Sequence, residues 1–268
     1  MTALLLAMAF YWFHHRAAPA PERVSPEAMA EAAAPSADAP QRLKLKIVSV
    51  RPHDPEAFTQ GLVWDKGTLF ESTGLYGTST LREVDPRSGK VKRSRVVPKE
   101  DFAEGLALVG DRLIQLTWKE QRALVYKRAG FEPDGELRYD GEGWGLCYDG
   151  RRIIMSNGSD RLFFRDPKTF ALLGDVQVTL AGKPVWALNE LECVDGAVYA
   201  NVWQDDDIVR IDPATGKVTA VVDASGLLTP EERRQTDVLN GIAWDPKAKT
   251  FLITGKLWPK MFEVKFEP

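Results

Sequence analysis

The sequence predicts an all-β protein, a five-bladed β-propeller built from four-stranded antiparallel blades. Three observations predict this fold. A short motif recurs five times at intervals of 40 to 50 residues, each copy is followed by turn residues and a second β-rich run, and the five units occupy the chain from residue 43 to its end. A period of this length built from short strands is typical of propeller blades. A β-sandwich is the alternative, but its strands have no reason to repeat a glycine at one register.

The repeated motif is a polar or aromatic residue, usually followed by Gly, and then an apolar pair and a turn. Its five copies begin at Gln60, Glu104, Trp144, Glu190 and Asn240. Turn residues such as Asp149-Gly150 follow each copy and indicate hairpins between adjacent strands. Residues 43–268 are therefore predicted to form one propeller domain, interrupted by one short helix at residues 230–234.

The N-terminal region differs from the rest of the chain. Eleven apolar residues, 3–13, precede an Ala- and Pro-rich stretch at 17–42. The apolar run is short for a spanning helix and resembles the apolar core of a signal peptide, although no Lys or Arg precedes it. We expect residues 1–16 to direct export to the periplasm or the medium, either as a cleaved signal peptide or as a membrane anchor. Residues 17–42 are predicted to be a linker that cannot bury a core.

Composition excludes some classes of partner and cofactor. The formal net charge is -3 and the basic residues are scattered, which argues against nucleic acid as a partner. The chain has three His, and two of them lie in the N-terminal tail, so a catalytic zinc site is not expected. A structural calcium site, which needs only oxygen ligands, stays open.

Candidate site residues come from the register of the repeats. If the motifs are the inner strands, the first residue of each copy lines the mouth of the central channel, where ligands bind in closed β-scaffolds. A second set lies at the ends of the strands that follow: Trp118, Asn157, Trp203 and Lys256. Any one Trp is as readily explained by core packing, but Trp118, Trp144 and Trp203 together predict an aromatic pocket. We interpret Glu190 and Glu192 as structural hydrogen-bonding residues.

Long segments in a fixed order carry a family resemblance. They are HDPEAFTQGL (53–62), ESTGLYGTSTLREVD (71–85), DFAEGLAL (101–108), LTWKEQRALVY (116–126), GEGWGLCYDG (141–150), LNELECVDGAVYANVWQ (188–204), DVLNGIAWDP (237–246) and TGKLWPKMFEV (254–264). In these segments the sequence resembles the glutaminyl cyclotransferases of the plant and bacterial type, which are five-bladed β-propellers. The segments are distributed from residue 53 to residue 264 and so span nearly the whole length of the chain after the linker.

The resemblance implies an activity and a set of residues. The implied reaction is closure of an N-terminal glutamine of peptides or proteins to pyroglutamate with release of ammonia. We also expect the reaction to require no metal or other cofactor and the protein to be a monomer. The resemblance implies that Glu104 is the catalytic acid and base, with Lys256 beside it. The implied substrate pocket comprises Phe58, Gln60, Phe102, Trp118, Trp144, Asn189 and Trp203. Lys256 and the amides of Gln60 and Asn189 are the candidates for holding the substrate's γ-carbonyl oxygen.

Several alternatives stay open at this point. Cys147 and Cys193 fall at the same register of neighbouring copies, so they either form a disulfide or pack as two buried thiols. A propeller that only binds peptides would share the aromatic mouth but would not need Glu104. A metal-dependent hydrolase of the lactonase type would need several converging carboxylates or amides, and the five channel positions supply two carboxylates.

Overall fold

The computed structural model describes residues 39–268, which form the predicted five-bladed β-propeller of four-stranded antiparallel blades. The predictions for residues 1–38, including the signal peptide or anchor and most of the linker, lie outside the described residues. Between residues 39 and 268, no helix is long and apolar enough to cross a membrane.

Four blades are continuous in sequence, and their strands run outward from the axis in chain order. Blade 1 contains β2 (Thr59–Asp65), β3 (Thr68–Thr73), β4 (Thr80–Val84) and β5 (Val91–Val96). Blade 2 contains β6 (Ala103–Val109), β7 (Arg112–Thr117), β8 (Arg122–Lys127) and β9 (Pro133–Arg138). Blade 3 contains β10 (Leu146–Tyr148), β11 (Ile153–Met155), β12 (Arg161–Arg165) and β13 (Leu172–Gln177). After a small hairpin of β14 (Thr179–Leu180) and β15 (Lys183–Pro184), blade 4 contains β16 (Leu188–Val194), β17 (Ala197–Val202), β18 (Asp207–Ile211) and β19 (Val218–Asp223).

Blade 5 is assembled from both ends of the domain. Its inner strands are β20 (Leu239–Asp245), β21 (Thr250–Gly255) and β22 (Lys260–Glu267), and its outer strand is β1 (Gln41–Pro52). Strand β1 is antiparallel to β22 and also pairs in parallel with β19 of blade 4. The first strand of the described residues thus begins at Gln41 and closes the ring.

The core of the propeller lies between the blades. Each interface between neighbouring blades holds its own cluster of buried apolar side chains. At the closing interface, Leu62 and Leu69 of blade 1 pack against Leu252 and Met261 of blade 5. Burial of apolar surface on both faces of every blade therefore stabilises the ring as a whole.

The repeated glycines allow the inner strands to approach one another. A Cβ atom on Gly105 would lie 2.6 Å from the backbone nitrogen of Leu146 and 2.6 Å from the carbonyl oxygen of Trp144. The Gly105 N–H also donates to that carbonyl at 2.7 Å. Only glycine fits such a close approach of two backbones.

The structure corrects the register of the fourth copy. Leu106 pairs with Gln115 just after a bulge, and Leu191 pairs with Ala200 just after the corresponding bulge. Counting back from these residues, Asn189 is the counterpart of Glu104, and Glu190 occupies the glycine position. The prediction that Glu190 lines the channel mouth is therefore wrong, because blade 4 has a Glu where the other blades have Gly.

Cys147 and Cys193 form a disulfide that joins the inner strands of blades 3 and 4, with their Cα atoms 5.5 Å apart. The prediction that they share one register is wrong by one residue, because Cys147 directly follows Leu146 whereas Cys193 lies two residues after Leu191.

The predicted short helix, α1 (Pro230–Arg233), lies between blades 4 and 5. Thr229 and Glu232 form a capping box at its start, which satisfies the first free N–H groups.

Candidate functional site

A cavity of about 480 Å³ opens at one end of the propeller axis. All nine residues predicted for the site line it, which brings together residues from all five blades. The lining residues are Phe58, Gln60, Phe102, Glu104, Trp118, Trp144, Asn189, Trp203, Gln204, Asp237, Val238 and Lys256. Asn157, named above as a strand-end candidate, is not among them, and its side chain instead accepts hydrogen bonds from Ser159 in its own turn.

Bulges at the start of the inner strands aim the polar side chains into this cavity. In blade 2 the pairing register shifts between Ala103 and Leu106, so Glu104 and Gly105 together face one residue of β7. Blades 1 and 4 shift register at Gln60 and Asn189 in the same way. An extra residue in a strand re-aims the side chain that it carries, which explains why these positions point along the axis.

The second strand of each hairpin returns to the same end of the propeller. Trp118, Trp203 and Lys256 each lie one residue beyond such a strand. Their backbone N–H groups donate to Phe102 O at 2.8 Å, Ala187 O at 2.9 Å and Val238 O at 3.0 Å, respectively. The sheet hydrogen bonding thus continues to the cavity and fixes the backbone that carries these side chains.

Aromatic rings form the walls of the cavity in edge-to-face pairs. Phe102 lies 6.1 Å from Phe58 and 5.6 Å from Trp118, measured between ring centroids. On the other side, Trp144 and Trp203 lie 5.8 Å apart at an interplanar angle of 87°. These are preferred geometries for aromatic pairs, so the walls are well-packed surfaces.

Glu104 is the buried carboxylate of the site, with 5% of its surface exposed. Gln60 Nε2 donates to Glu104 Oε1 at 3.0 Å. Asn240 Nδ2 donates in turn to Gln60 Oε1 at 3.2 Å and to the Thr59 carbonyl at 2.9 Å. Because the amide oxygen of Gln60 accepts a hydrogen bond from Asn240, the amide nitrogen of Gln60 is directed toward Glu104.

The surroundings of Glu104 favour its neutral form. Burial raises its pKa well above the ordinary 4.5, Lys256 lowers it in part, and the negative charges of Glu142 and Glu120 raise it further. The pKa of Lys256 is lowered by burial, which Glu104 and Asp237 oppose. A carboxyl group and an amine with pKa values moved toward neutrality, in one aromatic cavity, are typical of acid–base catalysis.

Comparisons with known proteins identify the family of the chain. The family model described as glutamine cyclotransferase matches residues 23–266. The chain belongs to the glutamine cyclotransferase family. A curated protein of Arabidopsis thaliana, named glutaminyl-peptide cyclotransferase, is 41% identical over 229 residues, which are 84% of this chain and 72% of that protein. The crystal structure of Myxococcus xanthus glutaminyl cyclase matches with a TM-score of 0.78 and 44% identity, covering 85% of this chain and 98% of that one.

The side-chain oxygen of Asn189, a residue that lines the cavity, is buried without a hydrogen-bond partner. Asn189, with 2% of its surface exposed, has no hydrogen-bond partner for Oδ1. A buried acceptor costs free energy when it is left unpaired, so an N–H donor of a bound ligand that reached Oδ1 would remove this cost.

Three residues that line the cavity were not predicted from the sequence. Gln204 follows Trp203, and Asp237 and Val238 precede β20. The backbone N–H of Asp237 donates to Lys256 O at 3.0 Å, which joins this segment to the strand end that carries the lysine. All three lie within or beside the segments that carry the resemblance, but no repeat position marks them.

The hydrogen bonds of Glu190 and Glu192 confirm that both are structural residues, as predicted. Glu190 accepts from the N–H groups of Leu62 at 3.2 Å and Ile242 at 2.8 Å, and so links the inner strands of blades 1 and 5. Glu192 accepts from the Trp244 N–H at 2.8 Å, and burial raises its pKa to about 8. These carboxylates therefore connect inner strands of different blades around the axis of the propeller.

In residues 39–268, no three or more His, Cys, Asp or Glu side chains converge as a metal site would require.

Proposed function

We propose that this protein is a glutaminyl-peptide cyclotransferase that converts the N-terminal glutamine of peptides or proteins to pyroglutamate and releases ammonia. The observation that carries the proposal is the buried carboxylate of Glu104, placed in an aromatic cavity and oriented by Gln60. Membership of the family, and the names of the two relatives, support the same activity.

The reaction needs one group that carries a proton between two nitrogens. The substrate's α-amine attacks its own γ-carbonyl carbon, the new C–N bond forms, and the carbonyl π electrons move to oxygen. Ionised Glu104 takes a proton from the attacking nitrogen and delivers it to the amide nitrogen. The C–N bond to that nitrogen then breaks, ammonia leaves, and the carbonyl re-forms. One carboxyl group acting as base and then as acid is a recognised form of catalysis.

The other residues of the cavity hold and polarise the substrate. Lys256 provides a donor for the oxygen that becomes negative in the tetrahedral intermediate. Gln60 is already engaged with Glu104, which favours Lys256 over Gln60 for that role. The free Oδ1 of Asn189 accepts from the substrate's N–H groups. The aromatic walls keep the glutamine side chain folded toward its own amine, where proximity supplies much of the rate.

We further propose that the reaction needs no metal, that the enzyme acts as a monomer, and that residues 1–16 export it. The disulfide between Cys147 and Cys193 supports export, because disulfides persist in oxidising compartments.

The test is ammonia release, with loss of the corresponding mass, from a peptide that begins with Gln. Wild type and Glu104→Gln are compared with a chelator present throughout. The amide keeps the shape of the side chain but cannot accept the proton, so we expect kcat to fall by about 10²- to 10⁴-fold. The same peptide with an acetylated amine serves as the substrate control. A folded wild type that releases no ammonia would refute the cyclase and favour a peptide-binding propeller. Turnover only after metal is restored would refute metal independence alone.

A further inference from the structure

Glu142 connects two walls of the cavity without lining the cavity itself. It lies in the segment between β9 and β10, and 40% of its side chain is exposed. Its Oε2 atom accepts from the indole N–H of Trp118 at 2.8 Å and from the indole N–H of Trp144 at 3.0 Å. One carboxylate oxygen thus links an aromatic wall of blade 2 to an aromatic wall of blade 3.

The remaining contacts of the two indoles are mostly apolar. Trp118 packs edge-on against Phe102, and Trp144 packs edge-on against Trp203. Aromatic packing tolerates small rotations of a ring, whereas a hydrogen bond to a charged acceptor fixes the direction of the N–H. The indole N–H is a donor only, so each ring has one polar group, and both of these groups are held by Glu142.

Lys119 covers the outer side of this arrangement. Its Nζ lies 3.9 Å from Glu142 Oε1 and 3.8 Å from the centroid of the Trp118 ring. The two oxygens of Glu142 therefore serve different partners, and the oxygen that faces the indoles stays available to them.

We propose that Glu142 is a positioning residue for cyclisation, which holds the Trp118 and Trp144 rings where they fold the substrate glutamine onto itself. This inference rests on the proposed function. A misplacement of about 1 Å in a catalytic site can cost on the order of 100-fold in rate. Loss of both indole hydrogen bonds is expected to have an effect of this kind on substrate binding and on turnover.

Glu142 also affects Glu104 through its charge. Together with Glu120 it raises the pKa of Glu104, while Lys256 lowers it. Tyr76 and Tyr139, whose pKa values the charge of Glu104 helps to raise above 10, stay neutral. Removing the negative charge of Glu142 should therefore lower the pKa of Glu104 and move the acidic limb of the kcat profile to lower pH.

Three variants separate the two effects. Glu142→Gln removes the charge but keeps an oxygen with two lone pairs for the indoles. Glu142→Ala removes both. Glu120→Gln is the matched control, because Glu120 also raises the pKa of Glu104 but bonds to Tyr76 and to neither indole.

We expect Glu142→Ala to lower kcat/KM by about 10- to 100-fold, with KM raised, and Glu142→Gln to restore most of that loss. Glu142→Gln and Glu120→Gln should both shift the acidic limb to lower pH. The proposal is overturned if Glu142→Ala, folded by far-UV circular dichroism, retains kcat/KM within about threefold of wild type, or if Glu142→Gln fails to rescue it.

A readout without turnover distinguishes this proposal from the proposed function. Near-UV circular dichroism and tryptophan fluorescence report the indole environment directly. Glu142→Ala should change both spectra, and Glu142→Gln and Glu120→Gln should leave them close to wild type. If wild type does not cyclise but these spectra behave as expected, the activity is refuted while the positioning of the indoles stands. Unchanged spectra in Glu142→Ala would refute the positioning.

Discussion

Reduction of the disulfide between Cys147 and Cys193 should lower the stability of the propeller by a calculable amount. The bond joins β10 of blade 3 to β16 of blade 4 across a sequence separation of 46 residues. It therefore closes a loop that contains all of blade 3 after its inner strand. In the unfolded chain this closure removes conformations that the reduced chain would regain.

The magnitude follows from the length of the loop. For a loop of this size the chain-entropy relation gives about 4 kcal/mol at 25 °C. Whole domains are stable by roughly 5–15 kcal/mol, so the bond would supply a large share of the total. With an m-value of up to about 3 kcal/mol/M in urea, the unfolding midpoint should fall by at least about 1.3 M on reduction.

The assay is equilibrium urea unfolding followed by tryptophan fluorescence, with and without reductant, together with a titration of free thiols. The double variant Cys147→Ala/Cys193→Ala is the control and should show no response to reductant. If two free thiols per chain appear and the wild-type midpoint stays in place, the loop-closure reasoning is refuted for this protein. If no thiols appear under denaturing, reducing conditions, the result concerns access of the reductant, and a stronger reductant is applied before the comparison is made.

Two further predictions concern other parts of the ring. Gly105→Ala should lower the free energy of unfolding, measured in urea, by about 2–4 kcal/mol, since its Cβ would overlap backbone atoms such as Leu146 N and disturb a buried hydrogen bond. The control is Gly130→Ala, whose Cβ meets only the end of the Glu132 side chain and which should cost less than about 1 kcal/mol. Equal losses of stability in the two variants would contradict the argument. Burial lowers the pKa of His53, but its contacts with Glu71 outweigh this and raise it above 6.5. The stabilisation from protonated His53 should be complete below pH 6.5 and lost as pH rises through the raised pKa. The difference in free energy of unfolding between wild type and His53→Gln should therefore become smaller at alkaline pH. A difference that is constant with pH would show that the histidine does not titrate.

Much of the fold could be predicted because the blades repeat. The glycine before the apolar pair is required by the close approach of neighbouring inner strands, as at Gly105. The same glycine therefore recurs in the sequence of most blades. The glycine is missing in blade 4, where Glu190 stands at its position and its carboxylate accepts from backbone N–H groups of two other inner strands. The register error in blade 4 came from that substitution.

Closure of the ring by β1 could not be predicted from a comparable sequence pattern. Most of its side chains are exposed or half-buried, so it has no continuous buried apolar face that would assign it to one blade. Its place beside β22 depends on a pairing between the two ends of the domain. No local pattern encodes such a distant contact.

Some residues of the candidate site could likewise be predicted from the sequence, and others could not. Register and family resemblance together placed the nine predicted residues at one cavity. Asp237, Val238 and Glu142 lie in irregular segments, and their importance depends on where a carbonyl or an indole N–H points. Directions of this kind are set by tertiary packing, which the order of residues alone does not give.

The shared construction of blade 5 has a consequence for the order in which the protein is made. Leu62 and Leu69 in blade 1 are synthesised early, but Met261 of blade 5, which covers them, follows about 190 residues later. At ribosomal rates of roughly 5–20 residues per second, this apolar face stays uncovered for on the order of 10 to 40 seconds. Strand β1 waits still longer, because its partner β22 is the last strand to emerge. A half-built ring therefore exposes apolar surface during synthesis, and a chain held unfolded until it is complete would avoid this intermediate.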